Sequence, residues 1–127
     1  MIVVDASAAL FALVNSGPAR RTIAGEQLNA PHLIDTEIVS GLRRQVAAQA
    51  MGAADARAIV DVWQALGISR YPSVATLGRI WELRENLSAY DASYVALAEA
   101  LDCSLLTGDR RLARAPGIRC AVTTVPG

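Results

Sequence analysis

The chain has 127 residues, 53% of them hydrophobic, which is enough for one folded domain over 1–127 and too apolar for a disordered chain. Twelve basic residues, all of them arginine, balance twelve acidic ones, and this net charge of zero argues against a broad basic surface for polyanions. The absence of a secretory signal, and of an apolar run near the roughly 20 residues of a membrane span, predicts a cytoplasmic protein.

Predicted strands and helices alternate along the chain. The run Ile2-Val3-Val4 is β-branched and predicts a buried strand that ends at Asp5. In chain order, the prediction is a strand over 2–4, helices over 6–14 and 19–27, a strand over 28–32, helices over 33–49 and 55–66, a strand over 68–72, helices over 73–85 and from 89 to about 101, and strands over 104–107 and 118–125. This alternation predicts an α/β fold with a mainly parallel sheet, in which ligands bind beyond the carboxyl ends of the strands.

Four acidic side chains come from four different segments of this layout. Asp5 and Asp109 each follow a predicted strand, at the sheet edge where ligands bind. Asp91 lies in the first turn of a helix, and Glu37 lies about 60° round its helix from the apolar stripe. Taken singly, each has a structural explanation as a helix cap, a turn residue or an exposed flank.

Brought together, the four carboxylates would repel one another strongly unless cations bound between them. Magnesium prefers hard oxygen ligands and combines a few protein carboxylates with waters and substrate phosphates. Two such ions about 4 Å apart can activate a water and stabilise the leaving oxygen when a phosphodiester is hydrolysed. The hypothesis of a metal-dependent phosphodiesterase therefore requires that the four segments meet in the fold.

The same segments, in this order and at these separations, resemble PIN domains. They are Ile2-Val3-Val4-Asp5-Ala6-Ser7-Ala8, Thr36-Glu37-Ile38, Tyr90-Asp91-Ala92 with Tyr94-Val95-Ala96-Leu97-Ala98, and Leu106-Thr107-Gly108-Asp109. The layout of the whole chain resembles VapC-type toxin ribonucleases of type II toxin–antitoxin systems. The resemblance implies a three-layer α/β/α fold and an endoribonuclease that uses Mg²⁺, with Mn²⁺ as a substitute, to inhibit translation or growth. It also implies a homodimer and a small antitoxin whose C-terminal segment occupies the active-site groove.

The resemblance also assigns roles to individual residues. Four acids would be the catalytic metal ligands: Asp5, Asp91, Asp109 and Glu37. Of these, Glu37 would help to hold the metal or orient the water. Ser7 and Thr107 would support the acids by hydrogen bonds. Some relatives carry a further acid after the last motif, where this chain has Arg110 and Arg111, so catalysis by one metal ion stays open beside catalysis by two.

Basic residues near the acids are candidates for contact with RNA. Three of them follow Asp109 and suit bidentate contacts to phosphates: Arg110, Arg111 and Arg114. Arg43 and Arg44 lie almost two turns beyond Glu37 and are expected to be solvated. The RNA itself is expected to be single-stranded or looped.

Aromatic residues are the second group of candidates for RNA contact. Tyr90 adjoins Asp91 and is the best candidate for stacking on an RNA base, with Tyr94 a weaker one. Trp63 and Trp81 are instead expected to pack against neighbouring helices or a partner.

The sequence also argues against several other functions. A haloacid-dehalogenase-type phosphatase requires Asp at position 7, where this chain has Ser7, and a receiver domain requires a lysine, which is absent. No glycine-rich loop follows the first strand, which excludes a Walker or Rossmann nucleotide site. A PIN-like module that binds RNA or protein without cutting remains an alternative, as does cleavage of DNA. The helices at 55–66 and 73–85 carry apolar stripes, which serve either the core or a groove for a partner helix.

Overall fold

Five parallel strands form the centre of the molecule, which a computed structural model describes over residues 1–125. The strands are β1 (Ile2–Val4), β2 (Leu28–Pro31), β3 (Ile68–Tyr71), β4 (Ser104–Thr107) and β5 (Val122–Thr124). They lie in the order β3-β2-β1-β4-β5, and every neighbouring pair is parallel. The chain thus builds outward from β1 to β3, returns past β1 and continues through β4 to β5. The order reverses between β1 and β4, which is where sheets of this type bind ligands.

Helices flank the sheet and confirm the predicted α/β class. They are α1 (Ala6–Val14), α2 (Pro18–Ala24), α3 (Leu33–Ala47), α4 (Ala53–Ala65), α5 (Leu77–Glu82), α6 (Ala89–Ala100) and α7 (Arg110–Arg114). Helix α6 contacts β1, β2 and β4 and packs with α5, whereas α1 and α3 contact the sheet and pack with each other and with α4. Within residues 1–125, no helix is long and apolar enough to cross a membrane.

The core lies between the sheet and these helices. Val3, Val4 and Leu105 are fully buried on the central strands, and the stretch from Ala92 to Ala98 on α6 is buried without a break. A helix that is apolar on all sides belongs in the interior, which explains why α6 covers the middle of the sheet.

Helices α1 and α3 approach closely at Gly41. A Cβ atom built on Gly41 would lie 2.3 Å from Cδ1 of Leu10, so glycine allows the Leu10 side chain to sit against the α3 backbone. This close approach sets the spacing between α1, which Asp5 caps, and α3, which carries Glu37.

The helix predicted over 19–27 ends at Ala24, and two other predicted elements differ more from the structure. The helix predicted over 73–85 is wrong as a single helix: a 3₁₀ turn over Val74–Thr76 precedes the six-residue α5. Both the backbone N–H and the hydroxyl of Thr76 donate to the carbonyl of Ser73, which competes with α-helical hydrogen bonding. The strand predicted over 118–125 is limited to β5, because the N–H of Arg119 donates to Glu99 rather than to a strand.

Candidate active site

Asp5 ends β1 and caps α1. Its Oδ1 accepts hydrogen bonds from the N–H of Ala8 at 2.9 Å and from Oγ of Ser7 at 2.7 Å, while Oδ2 accepts one from the hydroxyl of Thr107. The side chain is only 6% exposed. Burial raises the pKa of Asp5, and these hydrogen bonds oppose the rise. The residue therefore serves both as a structural cap and as a carboxylate held rigidly at the edge of the sheet.

Two hydroxyls join the start of α1 to the turn after β4. Ser7 donates to Asp5 and accepts from the N–H of Gly108 at 2.9 Å. Thr107 donates to Asp5 and accepts from the N–H of Asp109 at 3.0 Å. A Cβ atom at Gly108 would lie 3.1 Å from Oγ of Ser7, so glycine permits this close approach. The turn that carries Asp109 is thus tied directly to Asp5.

Asp91 and Asp109 enter the site from α6 and from the turn after β4. The N–H of Asp91 donates to Oγ of Ser88, as the capping pattern predicts, which leaves the Asp91 carboxylate for the site. Burial raises the pKa of Asp91, and the negative charges of Asp5 and Asp109 raise it further. Asp109 has a lowered pKa because Arg111 donates side-chain hydrogen bonds to both of its carboxylate oxygens, at 3.2 and 3.1 Å.

Glu37 reaches the site from α3 and is held by a buried tyrosine. The hydroxyl of Tyr94 donates a hydrogen bond to Oε1 of Glu37. Tyr94 is 2% exposed, so it cannot stack on an RNA base, and that part of the prediction is wrong. Burial raises the pKa of Glu37, and the charges of Asp91 and Asp5 add to the rise. Burial, followed by the bond to Glu37, likewise raises the pKa of Tyr94.

All four acids line one cavity at the carboxyl ends of β1 and β4, where the strand order reverses. The cavity has a volume of about 450 Å³. In the side-chain conformations of this structure, no three Asp, Glu, His or Cys residues within 1–125 lie close enough together to hold one metal ion. Glu37 is turned toward Tyr94 and Asp109 toward Arg111. The donors nevertheless fit a hard divalent cation, because they are carboxylates whose mutual repulsion such a cation relieves.

The raised pKa values predict how the stability of the metal-free chain depends on pH. Three carboxyl groups bind protons more tightly in the folded than in the unfolded state: Asp5, Glu37 and Asp91. Their contribution to the stability of the fold is therefore favourable at low pH and is lost as the pH rises through the raised pKa values. Asp35 and Asp109 have lowered pKa values, because they accept hydrogen bonds from guanidinium groups. Their contribution to the stability of the fold has the opposite pH dependence and is lost as the pH falls through the lowered pKa values. We expect the metal-free protein to be most stable at mildly acid pH.

Urea unfolding in EDTA measures this dependence. The free energy of unfolding should be larger at about pH 4.5, near the ordinary carboxyl pKa values, than at about pH 7. The Asp91→Asn variant, which lacks one of the repelling acids, should show a smaller difference between the two. Greater stability of the wild-type protein at the higher pH would contradict the expectation.

Within residues 1–125, none of the four residues proposed above as RNA contacts, Tyr90, Arg110, Arg111 and Arg114, lines this cavity. Arg110, Arg111 and Arg114 are exposed on α7, and Arg111 is engaged with Asp109. Tyr90 is 65% exposed beside Asp91. Sequence reasoning missed Arg44, which lines the cavity together with the acids. The available signal was its seven-residue spacing from Glu37, because residues seven apart share one side of a helix.

Similarity to known proteins covers nearly the whole chain. The family model of the PIN domain matches residues 2–118. Ribonuclease VapC9 of Mycobacterium tuberculosis is 58% identical over 126 residues, which make up 99% of this chain and 99% of that protein. The crystal structure of PAE2754 from Pyrobaculum aerophilum is 27% identical and has a TM-score of 0.70, covering 95% of this chain and 81% of that one. The crystal structure of VapBC2 from Rickettsia felis bound to a DNA fragment from their promoter is 13% identical and has a TM-score of 0.71. The match covers 99% of this chain and 100% of that one, and at this low identity the likeness concerns the fold alone.

Proposed function

The chain belongs to the PIN domain family and, within it, to the VapC ribonucleases, and from this premise we propose that it is a metal-dependent endoribonuclease and the toxin of a toxin–antitoxin pair. The observation that carries the proposal is the meeting of four carboxylates from four segments in one cavity. Such a cavity repels a polyanion unless cations bind in it, and with cations it suits hydrolysis of a phosphodiester.

Asp5, Asp91, Asp109 and Glu37 are the residues that would hold Mg²⁺, or Mn²⁺ in its place. When bound, such an ion activates a water molecule and offsets the charge that develops on the phosphate. Ser7 and Thr107 keep the Asp5 carboxylate in a single position. Glu37 has a raised pKa, which suits a group that orients the water or accepts its proton. Attack of the water oxygen on phosphorus breaks the bond to O3′ and leaves a 5′-phosphate and a 3′-hydroxyl.

The test is cleavage of a mixed RNA pool by purified protein in Mg²⁺, in Mn²⁺ and in EDTA. We expect discrete cuts in either metal, none in EDTA, and recovery when Mg²⁺ is added back. DNA of the same sequence as a cut RNA serves as the control for recognition of the 2′-hydroxyl. A folded, antitoxin-free protein that makes no cuts in either metal would favour a binding module without catalysis.

The protein partner of this toxin is its cognate antitoxin, and an apolar groove offers a surface for it. The groove runs between α1, α2 and α4, measures about 580 Å³ and is lined by apolar side chains that include Ile23, Ile59, Val62 and Leu66. This surface fits the apolar face of an amphipathic helix. A segment beyond such a helix would then reach the acidic cavity and exclude RNA. A purified toxin–antitoxin complex that cuts RNA as fast as the free toxin would contradict this arrangement.

We also propose that the chain forms a homodimer, as the family resemblance implies. Apolar side chains remain uncovered on the 3₁₀ turn and on α5, namely Val74, Leu77 and Trp81. Uncovered apolar area of this kind is compatible with contact to a second copy. Sedimentation equilibrium of the antitoxin-free protein distinguishes a dimer from a monomer.

A further inference from the structure

The cavity that holds the four acids continues past them between α1 and α3. We call this continuation the far arm, and it is lined by Phe11, Val14, Asn15, Arg44 and Gln45. The proposed metal site uses none of these side chains. The far arm combines an aromatic ring, two amides and a guanidinium group, which are the groups that bind single-stranded nucleic acids.

Arg44 is placed to bind a phosphate near the acids. It follows Glu37 by seven residues, so the two share one side of α3, with their Cα atoms roughly 10 Å apart along the helix axis. The Arg44 guanidinium points back along the helix toward Ser40. Among the described residues its side chain donates one hydrogen bond, to Oγ of Ser40 at 3.0 Å, and it forms no ion pair there. The remaining guanidinium donors are therefore available to a phosphate, for which arginine has suitable geometry.

Phe11 provides an apolar wall on the opposite side of the far arm. It lies six residues after Asp5 on α1, or roughly 9 Å along the helix axis. Its ring is half-buried against the core, and it lines the cavity near Val14. A ring held in this way can stack on a nucleobase without losing much conformational freedom. The amides of Asn15 and Gln45 lie at the same end of the cavity, where they can meet the polar edge of a base.

The charges of the cavity are arranged for a strand that crosses both of its parts. Carboxylates line one part of the cavity, where a phosphate needs bound cations, and Arg44 lines the far arm, where a phosphate needs none. Arg44 is near enough to Glu37 for its charge to oppose the rise in the Glu37 pKa, so a phosphate bound by Arg44 would lie next to the acids. We propose that the far arm binds the nucleotide next to the scissile phosphate of a single-stranded RNA, with Arg44 on its backbone phosphate and Phe11 against its base. This inference rests on the proposed ribonuclease function and adds the residues that select the flanking nucleotide.

Salt dependence of RNA binding tests the role of Arg44. An oligoribonucleotide that spans a mapped cut is titrated with the Asp5→Asn protein in Mg²⁺, so that binding is measured without cleavage. Adding Arg44→Gln should weaken binding about tenfold and reduce the slope of log affinity against log salt by about 0.7, the value for one phosphate contact on a single strand. Arg43→Gln is the matched control, because Arg43 is the exposed neighbour on α3 and does not line the cavity.

Removal of single bases tests the role of Phe11. An abasic position next to the cut should weaken binding to the Asp5→Asn protein by about tenfold, within the range for one stacked base. The same abasic position should reduce the affinity much less in the protein that also carries Phe11→Leu, because the stacking partner of the base is already lost there. Urea unfolding of the Phe11→Leu variant verifies that it folds.

Three results would overturn the inference. The first is an unchanged salt slope in Arg44→Gln, and the second is an equal reduction in Arg43→Gln, which would indicate non-specific attraction. The third is loss of antitoxin binding without loss of RNA binding in Arg44→Gln, which would make the far arm a protein contact. Failure of the ribonuclease function is distinct from these, because the wild-type protein would then make no metal-dependent cuts at all.

Discussion

Asp91→Asn should slow RNA cleavage by about 100- to 1,000-fold or more and leave the chain at least as stable as the wild type. The amide has no charge with which to hold the proposed cation, so the attacking water and the developing phosphate charge would lose the stabilisation that this cation would supply. The cap of α6 survives, because it uses the backbone N–H of Asp91 and the hydroxyl of Ser88. Repulsion from Asp5 and Asp109, which raises the Asp91 pKa, is removed as well.

Single-turnover cleavage of a mapped RNA in Mg²⁺ measures this loss. Asp55→Asn is the matched control, because Asp55 lies in the first turn of α4 as Asp91 lies in the first turn of α6, but it is not part of the acidic cavity. The control should cut at the wild-type rate. Full activity in Asp91→Asn would remove this residue from the catalytic site.

Trp63→Ala should lower the free energy of unfolding by about 3–5 kcal/mol, the range for removing a large aromatic side chain from a core. Trp63 is 5% exposed, and its indole N–H donates to Oδ1 of Asp35 at 2.7 Å. The guanidinium of Arg70 binds the same carboxylate and lies 5.9 Å from the centre of the Trp63 ring. Truncation therefore empties a packed position and also removes one hydrogen bond from a three-residue cluster.

Trp81→Ala provides the comparison for the same residue type at the surface. Trp81 is 67% exposed, and its truncation in the monomer should change stability by no more than about 0.5 kcal/mol. Urea unfolding of both variants, at two protein concentrations, measures the difference. A loss below about 1 kcal/mol in Trp63→Ala would contradict the assigned role of this residue. A concentration-dependent loss in Trp81→Ala would identify a second copy on that face.

The sequence allowed the local setting of each acid to be predicted, because capping and the ends of strands depend on neighbouring residues. Asp5 follows a β-branched run, and Ser88 marks the start of α6 whether or not the rest of the chain is known. The meeting of Asp5 with Asp109 depends on the pairing of β1 with β4, which strands of three and four residues do not encode individually. Recognition of the ordered motifs, rather than periodicity, supplied that link.

The apolar stripes of the helices do not by themselves show which helix surfaces are buried in the fold and which stay in solvent. Trp63 and Trp81 both lie on apolar stripes, yet α4 packs one against the core and α5 leaves the other in solvent. Arg43 and Arg44 look equivalent in the sequence, and the seven-residue spacing from Glu37 favours Arg44 as a cavity residue. The opposite wall of that cavity comes from α1, more than 20 residues earlier in the sequence, so the far arm itself was not predictable from α3.

The hydrogen bond from Thr107 to Asp5 joins residues 102 positions apart, and this separation governs when the enzyme can become active during its own synthesis. A ribosome makes Asp5 102 residues before Thr107, the last residue of β4, and Asp109 follows Thr107 by two residues. Until that segment emerges, β1 has no β4 beside it and the fourth acid, Asp109, is absent. A nuclease encoded in this order has no complete cutting site until β4 and Asp109 have joined Asp5, so a growing chain that still lacks them cannot cut the RNA around it.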